Sequence, residues 1–106
     1  MDQLGEGADA SLRVTVDESG ERVIVLEGEL DISNVERVES QLRPLIEHGA
    51  APIFDLSALT FMDSSGIAML LRAAERTGAV TIRKPSRVVQ QIIDSAGLGE
   101  ILRAEP

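Results

Sequence analysis

A single mixed α/β domain is predicted, with an N-terminal β-hairpin feeding a sheet covered by helices, and three observations carry that reading. The chain is 106 residues long and 43% hydrophobic, enough for one buried core and short for two. Its first ordered stretch alternates apolar and polar residues around a turn, the signature of a hairpin. Thereafter short apolar runs alternate with segments whose apolar residues recur every three or four positions, and strands linked through helices lie parallel.

Met1 to Ala10 is polar, glycine-containing and aperiodic, so residues 1–10 read as a flexible tail and 11–106 as the domain. Leu12, Val14 and Val16 alternate, Asp17 to Gly20 ("DESG") makes a turn, and "RVIVLEGEL" continues extended. Ser33 stands three residues before Glu36, a capping-box spacing, and Val35, Val38, Leu42, Leu45 and Ile46 follow at helical intervals toward a stop at Gly49. Pro44 falls inside that helix, where it removes a backbone donor, and predicts a bend or an early end. Pro52 to Leu56 reads as a short buried strand followed by a connection. Beyond Gly66 the pattern turns helical, with Ile67, Leu70, Leu71 and Ala74 on one face, Arg72, Glu75 and Arg76 on the other, and Gly78 as the stop. "AVTIR" is the next strand; Ser86 then caps a third helix carrying Val88, Val89, Ile92 and Ile93 and ending near Gly97, and Ile101 to Arg103 adds a last short strand. The predicted order is β-β-α-β-α-β-α-(β).

Composition narrows the function. With no cysteine there is neither a disulfide framework nor a thiolate site. Aromatic content of 2% and a net charge of −8 leave no base-stacking surface and repel phosphate backbones, so nucleic acid is not an expected partner. No stretch approaches the roughly 20 apolar residues of a membrane span, and the N-terminus lacks the basic flank and apolar core of a signal peptide, so no membrane association and a cytoplasmic location are expected. The charge is uneven: residues 1–63 hold 14 acids and 4 bases, and residues 64–106 hold 4 acids and 6 bases. Such an acidic half suits either simple solubility or a basic partner.

The chemistry concentrates in "FMDSSG", Phe61 to Gly66, at the junction of an apolar run and a helix. Nucleophilic catalysis needs a serine beside an oriented base, and the only histidine, His48, sits at the far end of an earlier predicted helix. Nor does "DSSGI" match the G-x-S-x-G elbow. Phosphate binding at the helix N-terminus lacks a lysine and a glycine-rich loop, and Asp63 would repel the anion. No enzyme activity and no cofactor are therefore expected. A third possibility is that a serine is the target of another protein's kinase, against the plainer role of Asp63, Ser64 or Ser65 as a helix cap.

The residues "GELD" (Gly28 to Asp31), "IFDLS" (Ile53 to Ser57), "FMDSSG" and "AGL" (Ala96 to Leu98) resemble the STAS family, and more narrowly the free-standing bacterial anti-sigma factor antagonists, or anti-anti-sigma factors. The likeness runs from about Ser11 to Leu102. It implies a STAS fold, phosphorylation of the first serine of the D-S-S-G block, here Ser64, and a partner that is both serine kinase and anti-sigma factor and supplies the ATP. A serine phosphatase is implied for reactivation. The partner-binding residues it implies are Asp31, Ile32, Ser33, Asn34, Met62, Asp63, Ser64, Ser65, Gly66 and Ile67, with no metal. Ala68 departs from the S-S-G-x-G often seen in relatives; alanine is nearly as small and a better helix former, so close packing should survive. Two rivals share the resemblance. A STAS regulatory subunit of a lipid-transport ATPase would need no acceptor serine, and a stressosome-type scaffold component would carry a sizeable N-terminal sensor domain.

Overall fold

The computed structural model describes residues 9–47, 51–99 and 101–105. Its elements run β1 (Ala10–Val16), β2 (Arg22–Leu30), α1 (Val35–Ile46), β3 (Ile53–Met62), α2 (Ser64–Thr77), β4 (Val80–Arg83), α3 (Arg87–Ser95) and β5 (Leu102–Ala104). The five strands form one sheet in the order β1-β2-β3-β4-β5. The hairpin pair β1 and β2 is antiparallel, with Leu12 opposite Leu26, while β2, β3, β4 and β5 are parallel. Because strand order follows chain order, each crossover steps to the next strand in the same direction, and right-handed crossovers then bring the helices to one face. Ile24, Phe54 and Ile82 stand in register across that face. They share a single core with Leu26, Leu56 and Val80 from the sheet, Val38 and Leu42 from α1, Met69, Leu70 and Ala73 from α2, and Val89 and Ile93 from α3.

Four sequence expectations are corrected. β1 begins at Ala10, which is buried and pairs with Gly28, so order reaches into the expected 1–10 tail; residues 1–8 of that tail lie outside the described residues. The reason is a set of anchors at Asp9: its carboxylate accepts from Ala10 N (2.8 Å) and Arg37 Nη2 (2.7 Å), and its carbonyl accepts from Glu29 N (3.2 Å). Gly28 makes this crossing possible, since it has φ of +93° and a Cβ there would lie 1.8 Å from Asp9 O.

Helix α1 is not opened by a Ser33–Glu36 capping box. Its N-cap is Asn34, whose side chain makes no capping bond. Ser33 is instead engaged by Asp31, and the buried Asn34 turns inward to tie the preceding loop together. Nor does α1 end at Pro44, because the helix continues to Ile46. The carbonyl that Pro44 cannot bond belongs to Ser40, an exposed residue whose oxygen water can satisfy. The expected stop at Gly49, like His48, lies outside the described residues.

The largest correction is β3, which does not stop at Leu56 but runs ten residues to Met62. Its inward residues are Phe54, Leu56, Leu59 and Met62, so a two-residue alternation is twice lengthened to three. Each lengthening is a bulge against β2: Val25 and Glu27 pair with Asp55 and Ala58, and Gly28 and Glu29 pair with Leu59 and Phe61. The Thr60 hydroxyl marks the second by donating to Gly28 O (3.1 Å). The bulges keep Leu59 and Met62 in the core and deliver the chain directly to α2.

Candidate functional site

Because β2 and β3 are parallel neighbours and Leu30 pairs with Met62, the segments that follow them emerge side by side at one end of the sheet. The Asp63 N–H donates to Leu30 O (3.1 Å), which fixes that adjacency. Asp31 to Ser33 and Asp63 to Ser65 thus form one surface.

Asp63 is the keystone. It is the N-cap of α2 in extended conformation, and its Oδ1 accepts from Ser65 N (2.9 Å), Gly66 N (3.3 Å) and the Ser65 hydroxyl. Its other oxygen, Oδ2, accepts from Ile32 N (3.2 Å) in the neighbouring loop. The Ser65 hydroxyl above all, then the backbone N–H groups of Gly66, Ser65 and Ile32, hold the Asp63 carboxyl below its ordinary range against the opposing effect of burial.

The two serines of the block differ. Ser65 is half-buried and its hydroxyl is taken by Asp63. Ser64 is exposed, and its hydroxyl makes no hydrogen bond to any described residue. The same asymmetry recurs along the chain: Asp17 with Ser19, Asp31 with Ser33 and Asp55 with Ser57 each show the serine N–H and hydroxyl donating to Oδ1 of the aspartate two residues earlier. Each holds its serine by an Asx-type arrangement and leaves the middle residue to be placed by its surroundings: Leu56 of Asp55-Leu56-Ser57 lies in the core. In Asp31-Ile32-Ser33 the middle residue is Ile32, 76% exposed. In Asp63-Ser64-Ser65 it is Ser64.

Of the residues predicted to meet a partner, Asp31, Ile32, Ser33, Asp63, Ser64, Ser65 and Ile67 are at least partly exposed. Asn34, Met62 and Gly66 are buried, which corrects their placement on the outer surface: they shape it from beneath. Asn34 accepts from Asp31 N (3.0 Å) and donates to Glu29 O (2.8 Å). Gly66 packs so closely that an added Cβ would meet Met62 Cγ at 2.5 Å and Leu30 Cδ2 at 3.0 Å. Phe61, missing from the predicted surface, is 41% exposed and lines a shallow apolar groove with Val88, Ile92 and Ala96. The bulge that turns it outward has no signal in simple alternation.

Among the described residues no group of three or more histidine, cysteine, aspartate or glutamate side chains could hold a metal ion, and no helix is long and apolar enough to cross a membrane.

A family model described as "Mlab, STAS domain" matches residues 14–103. The chain belongs to the STAS domain family. A curated STAS relative, the anti-sigma F factor antagonist of Lysinibacillus sphaericus, is 35% identical over 83 residues, which cover 73% of this chain and 71% of that protein. An anti-sigma factor antagonist from Mycobacterium paratuberculosis superposes with a TM-score of 0.82 at 22% identity, covering 97% of this chain and 91% of that one. The anti-sigma factor antagonist SpoIIAA in its unphosphorylated form gives a TM-score of 0.72 at 25% identity, over 91% of this chain and 89% of its own. The Bacillus cell fate determinant SpoIIAA in its phosphorylated form gives 0.65 at 24% identity, over 91% and 92%. The STAS fold expected from the quoted motifs is thereby borne out, as is the narrower likeness to anti-sigma factor antagonists.

Proposed function

We propose that this STAS domain is an anti-sigma factor antagonist that binds a serine-kinase anti-sigma factor when unphosphorylated, frees the sigma factor, and is switched off by phosphorylation of Ser64. The observation that carries this reading is the exposed hydroxyl of Ser64, unbonded among the described residues, beside the exposed Ile32 turn, so that a docking site and a chemical target share one surface. The likeness to anti-sigma factor antagonists, and a neighbour of the same fold in a phosphorylated form, support it. Asp31, Ile32, Ser33, Asp63, Ser64 and Ile67 make up the contact surface, and a serine phosphatase restores the active form.

The chemistry of the switch follows from the cap. A phosphoryl group adds about −1.5 to −2 charge units. The first-turn N–H groups of Ser65 and Gly66 already go to Asp63, so they are not free to fold the new charge back onto the helix. It stays outward, next to the Asp63 carboxylate, and repels or obstructs the partner. A loss of about 3 kcal/mol at the interface lowers affinity more than a hundredfold without refolding the domain.

The test is incubation with a serine-kinase anti-sigma factor and ATP, followed by mass spectrometry and a binding assay. Phosphate should appear on wild-type Ser64 and not on a Ser64→Ala variant, which should still bind. Equal incorporation into both proteins removes Ser64 as the acceptor. A second reading within the same family, a STAS subunit of a lipid-transport ATPase, would be selected by binding to a nucleotide-binding transporter subunit regardless of Ser64.

A further inference from the structure

We infer that Asp63 is a positioning residue that makes Ser64, and not the adjacent Ser65, the phosphate acceptor. The inference rests on the proposed phosphorylation and adds what decides between two chemically identical hydroxyls. Both serines lie on the first turn of α2, and the resemblance that singles out the first of them supplies no physical reason for the choice.

The Asp63 carboxylate separates them. Oδ1 binds both the N–H and the hydroxyl of Ser65, which pins that side chain inside the cap, while Oδ2 holds the Ile32 loop against the same turn. Phosphoryl transfer forms a bond from the serine Oγ to the γ-phosphorus of ATP on the kinase and breaks the bond from that phosphorus to the bridging oxygen of ADP. The hydroxyl proton passes to a base on the kinase. Ser65 meets two obstacles to this step: its O–H points at Asp63 rather than at an incoming base, and turning it outward breaks a charge-assisted hydrogen bond. Asp63 is itself a poor substitute for the kinase's base. Four donors already surround its carboxylate, and they hold its proton affinity below that of a free aspartate. Ser64, the middle residue of the turn, has neither obstacle. Three other Asp-X-Ser units hold their serines in the same way, whereas Ser11 of Asp9-Ala10-Ser11 turns to Glu27, so the arrangement depends on the local backbone as well as on the triplet.

The test compares phosphate location, by mass spectrometry of peptides, in four proteins treated with a serine-kinase anti-sigma factor and ATP. Wild type should carry phosphate on Ser64; no phosphate at all would sink the proposed function itself, and phosphate chiefly on Ser65 would overturn only the present inference. In Ser64→Ala, with Asp63 intact, Ser65 should be labelled roughly ten- to a hundredfold more slowly than Ser64 is in wild type, the factor set by a hydrogen bond to a charged group. A comparable rate overturns the inference. Asp63→Gly keeps a residue tolerated at an N-cap but removes the carboxylate, and should spread phosphate onto Ser65; Asp63→Asn keeps an accepting oxygen and should restore exclusive labelling of Ser64. An Asp63→Gly protein with native circular dichroism that labels Ser64 alone, or neither serine, refutes the positioning role. Should Asp63→Gly fail to fold, the Ser64→Ala rate decides.

Discussion

Replacing Gly66 with alanine sets two effects of opposite sign against each other at the root of the Ser64 turn. On an unconstrained helix the change would stabilise by about 1 kcal/mol, because glycine is the costlier residue in a helix interior. Here the new Cβ would stand 2.5 Å from Met62 Cγ, with Leu30 Cδ2 and Cγ at 3.0 and 3.1 Å. Met62 is 1% exposed and Leu30 is wholly buried, so neither can swing into solvent, and both sit on paired strands. Overpacking of this kind costs about 1–3 kcal/mol. The clash outweighs the propensity gain at most values in that range, for a net destabilisation of about 1 kcal/mol. Relief comes most easily by lifting the first turn of α2 away from β3, which displaces Ser64 relative to the Ile32 loop and weakens the Asp63 bond to Ile32 N. Urea unfolding should show a lower midpoint with an unchanged slope, and Ser64 phosphorylation should slow more than stability alone explains, since displacement by about an ångström costs up to a hundredfold in a positioned reaction. A Gly66→Ala protein more stable than wild type by about 1 kcal/mol would refute the packing argument.

At Gly28 the obstacle is backbone and φ is positive, so Gly28→Ala should cost roughly 2–4 kcal/mol and release the Asp9–Ala10 segment, seen as faster amide exchange at Glu29, whose N–H donates to Asp9 O. Ser64→Asp places a carboxylate at the first position of α2, where the dipole favours it; its circular dichroism should match wild type while affinity for the anti-sigma factor falls about tenfold or more. Below pH 4 the domain should lose stability through Asp17, whose carboxyl is lowered to about 2 by the Ser19 hydroxyl first, then by the Glu21 N–H and by Arg83. Its folded value lies below its unfolded one, so its contribution is present above about pH 4 and is lost as pH falls toward 2. Asp17→Asn should therefore flatten the acid limb of a stability-against-pH curve, and an unaltered limb would assign acid unfolding to other carboxylates.

The sequence made the fold legible wherever one periodicity held throughout an element. The alternation of Leu12, Val14 and Val16, the helical spacing after Gly66 and the Ser86 cap, whose hydroxyl accepts from Val89 N (3.3 Å), all stand as read. Legibility failed where a side chain had two possible partners or a register slipped. Ser33 matched a capping spacing, yet Asp31 lies closer to it than the helix does. The end of β3 was hidden because two bulges break its alternation, and they depend on β2, which no local pattern reveals. Within "FMDSSG" the presence of a cap could be read from residue types, but the division of labour between Asp63, Ser64 and Ser65 required the geometry. Asp-X-Ser stands at five positions and holds its serine at four of them, the exception being Asp9-Ala10-Ser11, whose serine turns to Glu27; that repeat was the overlooked signal.

A sheet whose spatial order repeats its chain order also has a history written into it. As the polypeptide leaves the ribosome, every new strand finds its neighbour already made and docks on the growing edge, with no earlier element to displace. The hairpin supplies the template and β3 extends it, and the turn bearing Ser64 is framed by β2 and β3 without a contribution from the β4–β5 edge.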